Sequence, residues 1–247
     1  MNGKTILVIP DAHAHPDYDN RRFTALGNFI ASRKFDSVVC LGDWFDYPSL
    51  SHYDKGKKSA EGKRIDLDTE AGIDAFERTW APSRKQKKQP HKLFLEGNHE
   101  FRYDRRLNDQ AELDGALSKK DLLLDEYWDD VVAYKDEFVL EGITFSHAFT
   151  AGNFDKEIGG VNAARTMLVE HKKSVIQGHS HLYSYARDKN LVGIQAGCFF
   201  EEEQKMTYMG TSGNARFWRG LTILNDVRNG DFDIEQINLK RILREFL

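Results

Sequence analysis

Five short islands rich in aspartate and histidine recur along this chain, each at the end of an apolar run: Asp11-Ala12-His13, Gly42-Asp43-Trp44-Phe45-Asp46, Gly97-Asn98-His99-Glu100, Ser146-His147 and Gly178-His179-Ser180-His181. Strands that hand a polar motif to the loop at their carboxyl end are how an open α/β sheet builds a ligand crevice. The pattern therefore demands parallel strands whose ends converge on one place.

The runs before the islands support this. Thr5 to Ile9, Ser37 to Leu41 and Lys92 to Leu95 are short, apolar and rich in β-formers, as buried parallel strands are. Between the first two, Phe23, Leu26, Phe29 and Ile30 fall at helical spacing in the stretch Arg22 to Arg33, giving a strand, helix, strand unit. Helical character also marks Asp66 to Trp80, a polar stretch from Tyr103 to Leu124, Ala163 to His171 and the tail Leu239 to Leu247. Val131 to Tyr134, Glu137 to Leu140 and Ile143 to Ser146 read as an antiparallel meander that delivers His147. Ser174 to Gln177, Tyr183 to Arg187, Val192 to Ala196, Leu221 to Asn225 and Phe232 to Ile237 supply further strands. Mixed strands with helices outside imply a layered α/β sandwich, read as a single domain over residues 1–247 with a charged insertion at about 49–90.

The islands hold oxygen and nitrogen donors for two cations. Asp11 and His13, one residue apart after a strand, can bind one metal from a tight turn, and His181 can face back to it. Asp43 has two carboxylate oxygens able to bridge neighbouring cations, the arrangement of two-metal hydrolysis with its spacing of roughly 3.5–4 Å. Asn98, His147 and His179 complete a second site. Carboxylate with imidazole suits manganese, iron or zinc, whereas calcium prefers oxygen alone. His99 is left over, beside Asn98, where a protonated imidazole can stabilise developing charge and donate a proton to a leaving alkoxide. Either Asp46 or Glu100 is the expected partner of that ring.

The order Asp-x-His, Gly-Asp-x-x-Asp, Gly-Asn-His-Glu, His, Gly-His-x-His, running from Asp11 to His181, resembles the calcineurin-like metallophosphoesterase superfamily. The resemblance implies an α/β/β/α sandwich with mixed sheets, a dinuclear centre loaded with manganese, iron, zinc or nickel, and hydrolysis of phosphate mono- or diesters. It implies Asp11, His13, Asp43 and His181 at the first metal, Asp43, Asn98, His147 and His179 at the second, and His99 as the catalytic histidine. Protein serine/threonine phosphatases of the superfamily carry arginine and glycine after the second motif, where this chain has Tyr47-Pro48. The Gly-His-Ser-His ending looks more like bacterial and phage branches acting on phosphodiesters, nucleotides or nucleic acids.

Composition narrows the setting. With 40% hydrophobic and 30% charged residues, no membrane-length apolar run and no signal-peptide core, the expectation is a soluble cytoplasmic protein. Cys40 and Cys198 read as small buried thiols rather than a disulfide. A net charge of -4 excludes a uniformly basic surface, but the runs Lys55 to Arg64 and Arg84 to Lys92, with Tyr53 and Trp80 nearby, are either a polyanion track or a solvated insertion. Arg102, Arg105 and Arg106 are equally a phosphate grip or an exposed helix face, and His15, His52, His91 and His171 read as loop or structural residues. Trp44, Phe45 and Tyr47 are expected as half-buried loop packing, and Phe199-Phe200 and Phe217-Trp218 as core or an oligomer surface. The leading expectation is a phosphodiesterase on nucleic acid or a nucleotide. A phosphomonoesterase on a small molecule or phosphoprotein comes next, and a non-catalytic protein-binding scaffold of the same fold is the alternative of another class.

Overall fold

In chain order, the elements of the computed structural model are β1 (Lys4–Ile9), α1 (Arg21–Ser32), β2 (Ser37–Cys40), α2 (Ile65–Trp80), β3 (His91–Leu95), α3 (Arg102–Asp109), α4 (Leu124–Tyr127), β4 (Asp130–Val132), β5 (Phe138–Leu140) and β6 (Ile143–Phe145). There follow β7 (Thr150–Ala151), β8 (Lys156–Glu157), α5 (Ala163–His171), β9 (Val175–Gln177), β10 (Tyr183–Asp188), β11 (Leu191–Ala196), α6 (Thr211–Asn214), β12 (Gly220–Arg228), β13 (Asp231–Asn238) and α7 (Leu239–Phe246). Residues 3–152, 154–206 and 210–247 are described, apart from the side chain of residue 211.

Two sheets form. The first has the order β13-β12-β1-β2-β3-β4, with β1 to β4 parallel and β12 and β13 antiparallel; the second is β10-β11-β9-β6-β5, parallel at its centre. Strand alternation sorts the core into layers. Leu7, Ile9, Val38, Cys40 and Phe94 face outward onto Phe23, Leu26 and Phe29 of α1, Ala75 and Phe76 of α2, and Ile242 of α7. Ile6, Val8, Val39, Leu41 and Leu93 face inward and meet Phe145, Ile176 and Ile194 of the second sheet. On the far side Val175 packs on Ala163, Met167 and Leu168 of α5. The result is the α/β/β/α sandwich.

Two expectations need correction. The helix read from Tyr103 to Leu124 stops at Asp109: Gly115 takes a left-handed conformation, and Ser118 and Asp121 cap a separate short turn. The meander loses its first strand, because β4 pairs parallel with β3 in the first sheet (Leu93 opposite Asp130, Leu95 opposite Val132). A short apolar run has no periodicity that names its partner sheet. β5 and β6 do form a hairpin, turned at Glu141 and Gly142, both with positive φ.

Candidate metal centre

The first two loops are zipped together. Both Ala12 and His13 donate their N–H to the Asp43 carbonyl (3.1 and 2.9 Å), and Ala14 donates to Trp44 O at 2.6 Å. Beneath them the Glu100 carboxylate accepts from the N–H groups of Asp43, Phe45 and Gly97 at 2.9, 3.0 and 2.7 Å. Trp44, Phe45 and Tyr47 are fully buried rather than half-buried, packed among Phe23, Phe76 and Tyr103, so they brace the loop from behind. Phe199 and Phe200 are likewise core.

Strained backbone aims the side chains. His13, Asp43, His179 and His181 all have left-handed φ, of 46, 47, 70 and 59°. Such conformations are uncommon outside glycine, although Asp and His adopt them more readily than most residues, and they cluster at functional sites.

Asp11, His13, Asp43 and His181 are buried together and each offers a ligand atom within 4.8 Å of the others. His13 Nδ1 lies 2.7 Å from Asp46 Oδ1, which places its proton there and leaves Nε2 as a lone pair. That lone pair faces His181 Nε2 at 3.0 Å, and His181 Nε2 lies 3.3 Å from Asp11 Oδ2. Asp11 Oδ2 is buried and has no hydrogen-bond partner among the described residues. Burial and the neighbouring Asp43 carboxylate push the Asp11 carboxyl well above its ordinary range. A donor set of this kind fits a divalent cation, which would supply the positive charge that these oxygens and nitrogens lack.

Asp43 also borders the second set. Asn98 Oδ1 lies 3.1 Å from His147 Nε2 and 2.9 Å from His179 Nδ1, and His147 Nε2 is 3.6 Å from Asp43 Oδ2. His147 Nδ1 donates to the Leu41 carbonyl at 2.6 Å, and His179 Nε2 lies 3.1 Å from Glu157 Oε2. With those outer nitrogens carrying the protons, three acceptors converge on one point. Burial pushes His147 down to about 4, so its ring stays neutral as a ligand must. This set too fits a cation.

His99 departs from expectation. Its Nδ1 donates to the Asp46 carbonyl at 2.6 Å, and Arg102 Nη2 lies 2.8 Å from its Nε2. Burial and the Arg102 charge hold it well below the ordinary histidine range, so the imidazole is neutral here, not charged. Glu100 is occupied by the three backbone donors and does not orient it; Asp46 does, through its carbonyl, with its carboxylate 3.5 Å from Nδ1.

Three residues escaped the sequence reading. Glu157, on the short β7–β8 ribbon, backs His179 and accepts from Tyr134. Arg22, on α1, is buried, has no carboxylate partner among the described residues, and donates to the carbonyls of Ala12 and His13 (2.9 and 3.0 Å); Gln204 Nε2 reaches the same His13 carbonyl at 2.7 Å. An arginine at a helical position gives no sign in sequence of pointing inward.

The centre opens into a cleft of about 1010 Å³ whose lining includes Asp43, Asn98, His99, Arg102, Arg105, Tyr134 and Glu157 together with Tyr53, Asp54, Lys57 and Lys63. Only the first basic run reaches it. Arg84 to Lys92 leads into the amino end of β3, opposite the islands, where Arg84 pairs with Glu77 and Lys88 with Asp36. Arg106 bonds Gln110 instead. His52 lies at the cleft, while His15 sits in the first loop with Nε2 3.6 Å from Asp46, His91 pairs with Asp130 and His171 bonds Thr150 O. Cys40 and Cys198 are buried free thiols, and among the described residues no helix is long and apolar enough to cross a membrane.

The chain is 32% identical over 140 residues to the Gene 54 protein of Mycobacterium phage D29, a match covering 57% of this chain and 46% of that one. It is 39% identical over 67 residues to the Gene 54 protein of Mycobacterium phage L5, covering 27% and 26%. The chain thus spans less than half the length of either relative. Among solved structures, zinc-complexed Vps29 from Entamoeba histolytica aligns over 95% of this chain and 99% of its own at 12% identity, with a TM-score of 0.44. The profile of the calcineurin-like phosphoesterases matches residues 4–204, and the chain belongs to that family.

Proposed function

We propose that the chain is a two-metal phosphodiesterase acting on nucleic acid or a nucleotide. The observation that carries this reading is the pairing of two donor sets about Asp43 with a cleft far larger than one phosphate, whose walls bring Lys57 and Arg105 with no carboxylate partner among the described residues. Asp11, His13, Asp43 and His181 would hold one divalent cation, and Asp43, Asn98, His147 and His179 the other; manganese is the leading candidate, with iron, zinc or nickel compatible. When bound, such ions act as Lewis acids and bring the pKa of water toward neutrality.

The protein's own residues do the rest. Asp46 and Glu157 fix the His13 and His179 rings from behind, so that the inward nitrogens keep their lone pairs. His99 is the general acid. In the absence of substrate its Nε2 accepts from Arg102; an incoming phosphate competes for that guanidinium, frees Nε2 and, by its negative charge, favours protonation of the ring beside the leaving oxygen.

The test is hydrolysis of bis-p-nitrophenyl phosphate against p-nitrophenyl phosphate with added manganese. Preference for the diester is expected; strong preference for the monoester would overturn the reading. No metal uptake and no turnover with either would favour the scaffold.

A further inference from the structure

The segment after the second island contributes Tyr53, Asp54, Lys57 and Lys63 to the lining of the cleft. Residues 48–60 form three short turns, at Pro48–Leu50, His52–Asp54 and Lys58–Ala60. Their root is fixed: Leu50 is buried, and Ser49 donates its N–H to the buried Asp68 carboxylate at 3.0 Å. Their tip is fixed by Asp54, which accepts from Ser59 Oγ and Lys63 Nζ, both at 2.7 Å, and whose carbonyl accepts the Lys57 N–H at 2.9 Å. Tyr53, the residue before this staple, lines the cleft with 71% of its surface exposed. A single exposed aromatic needs no explanation by itself. One held on a stapled turn at the mouth of a cleft, while the aromatics of the metal loop are all buried, offers a flat face at little ordering cost.

Basic side chains share the cleft with the carboxylates of Asp43, Asp54 and Glu157. Lys63 is engaged by Asp54, but among the described residues Lys57 has no ion pair, and Arg105, which also lines the cleft, lies over the Phe101 ring at 5.9 Å without a carboxylate partner. Two cations without carboxylate partners in one cleft suit an anion that continues beyond the reacting phosphate. An aromatic face in the same cleft suits a base. Asp11, His13, Asp43, His147 and His181 are buried while Asn98 and His179 are partly exposed, which suits a single strand better than a duplex.

We propose that residues 49–64 form a nucleoside subsite, with Tyr53 as the stacking platform for a base next to the scissile phosphate and Lys57 and Arg105 as contacts to the flanking phosphates of single-stranded nucleic acid. The assignment rests on the phosphodiesterase reading. Base stacking on such a ring is tolerant of sequence, so the subsite selects polynucleotide over other diesters and not one base over another.

The experiment compares thymidine 5′-p-nitrophenyl phosphate with methyl p-nitrophenyl phosphate, which share a leaving group and differ in the nucleoside. Tyr53→Ala should lower the ratio of the two kcat/KM values about tenfold, with Tyr53→Phe restoring it. In parallel, a fluorescein-labelled oligothymidylate is titrated by anisotropy at several salt concentrations. Tyr53→Ala should weaken binding about tenfold at every salt concentration, and Lys57→Ala with Arg105→Ala should flatten the salt dependence by about 0.7 per lost phosphate contact. An unchanged ester ratio with unchanged oligonucleotide binding overturns the subsite. Should the wild type hydrolyse neither diester, the phosphodiesterase reading fails, and the binding arm still decides whether Tyr53 stacks on a base. Binding of a phosphopeptide in preference to the oligonucleotide would likewise overturn it.

Discussion

Arg102 and His99 meet through a single 2.8 Å contact from Nη2 to Nε2, and the direction of that bond is set because a guanidinium can only donate. His99 therefore presents a lone pair to Arg102 and spends its Nδ1 proton on the Asp46 carbonyl. Arg102 itself is anchored by Nη1 to the carbonyls of Asp46 and Tyr47, both at 2.9 Å. His99→Ala is expected to keep both metals, measured by elemental analysis, and to lose about 10²–10⁴ in kcat. Arg102→Met should raise the His99 titration seen by NMR, since it removes the second-largest cause of its depression after burial. A His99 titration that stays in place would show that the guanidinium does not govern the ring.

Asp46→Asn tests the support of His13. The 2.7 Å contact to Asp46 Oδ1 decides which His13 nitrogen carries the proton, and an amide presents either an oxygen or an N–H there with no charge. Metal affinity should fall about 10–100-fold, read by competition with a chelator. Undiminished affinity would mean that packing alone sets the ring.

Gly178→Ala should cost metal without costing the fold. A β-carbon there would lie 2.2 Å from Asp11 Oδ1, so the carboxylate would have to move out of the donor set. The expected outcome is an unchanged far-ultraviolet spectrum with loss of one metal per chain. Full loading would show that the loop yields instead.

Stability should depend on pH through Asp68. Burial raises its carboxyl to about 6, Oδ2 accepts from Ser49, and Oδ1 has no partner. Because this value lies above that of an unfolded aspartate, about 3.9, the contribution is complete below that lower value and lost as pH rises through about 6. Asp68→Asn should therefore gain stability over the wild type at about pH 8 and not at about pH 4, measured by urea unfolding in the presence of chelator. Parallel stability curves would discount the carboxyl.

Arg22→Met removes the donor shared by the Ala12 and His13 carbonyls. Unpairing buried carbonyls costs about 1–3 kcal/mol each, tempered here by Gln204, so the midpoint of unfolding should drop and metal binding at His13 should weaken with it. Weaker metal binding with no loss of stability would separate the two effects.

That the island side chains would be brought together was legible from sequence, because each follows an apolar strand and strand ends converge. Asp11, Asp43 and Asn98 come off β1, β2 and β3, and His147 and His179 off β6 and β9, as the islands require. What packs against those side chains was not legible. Glu157 and Arg22 reach the centre from a two-stranded ribbon and a helix, and the Arg102 contact depends on a rotamer. The insertion divided for a similar reason: Lys55 to Arg64 and Arg84 to Lys92 look alike as strings, but α2 carries the chain from the carboxyl end of the sheet to its amino end between them. The β4 segment was misplaced because three residues contain no record of which sheet edge is free.

The donors are divided between the two sheets: residues up to Asn98 belong to the first, and His147, His179 and His181 to the second. Any ion held by both groups is a cross-link. Like a disulfide, it would close a long loop of chain, here spanning β4 to β9, and withdraw from the unfolded ensemble the states in which the sheets drift apart. Chelation would then do more than stop turnover, because it would remove a polar tie across a largely apolar seam and let the halves of the sandwich breathe more freely.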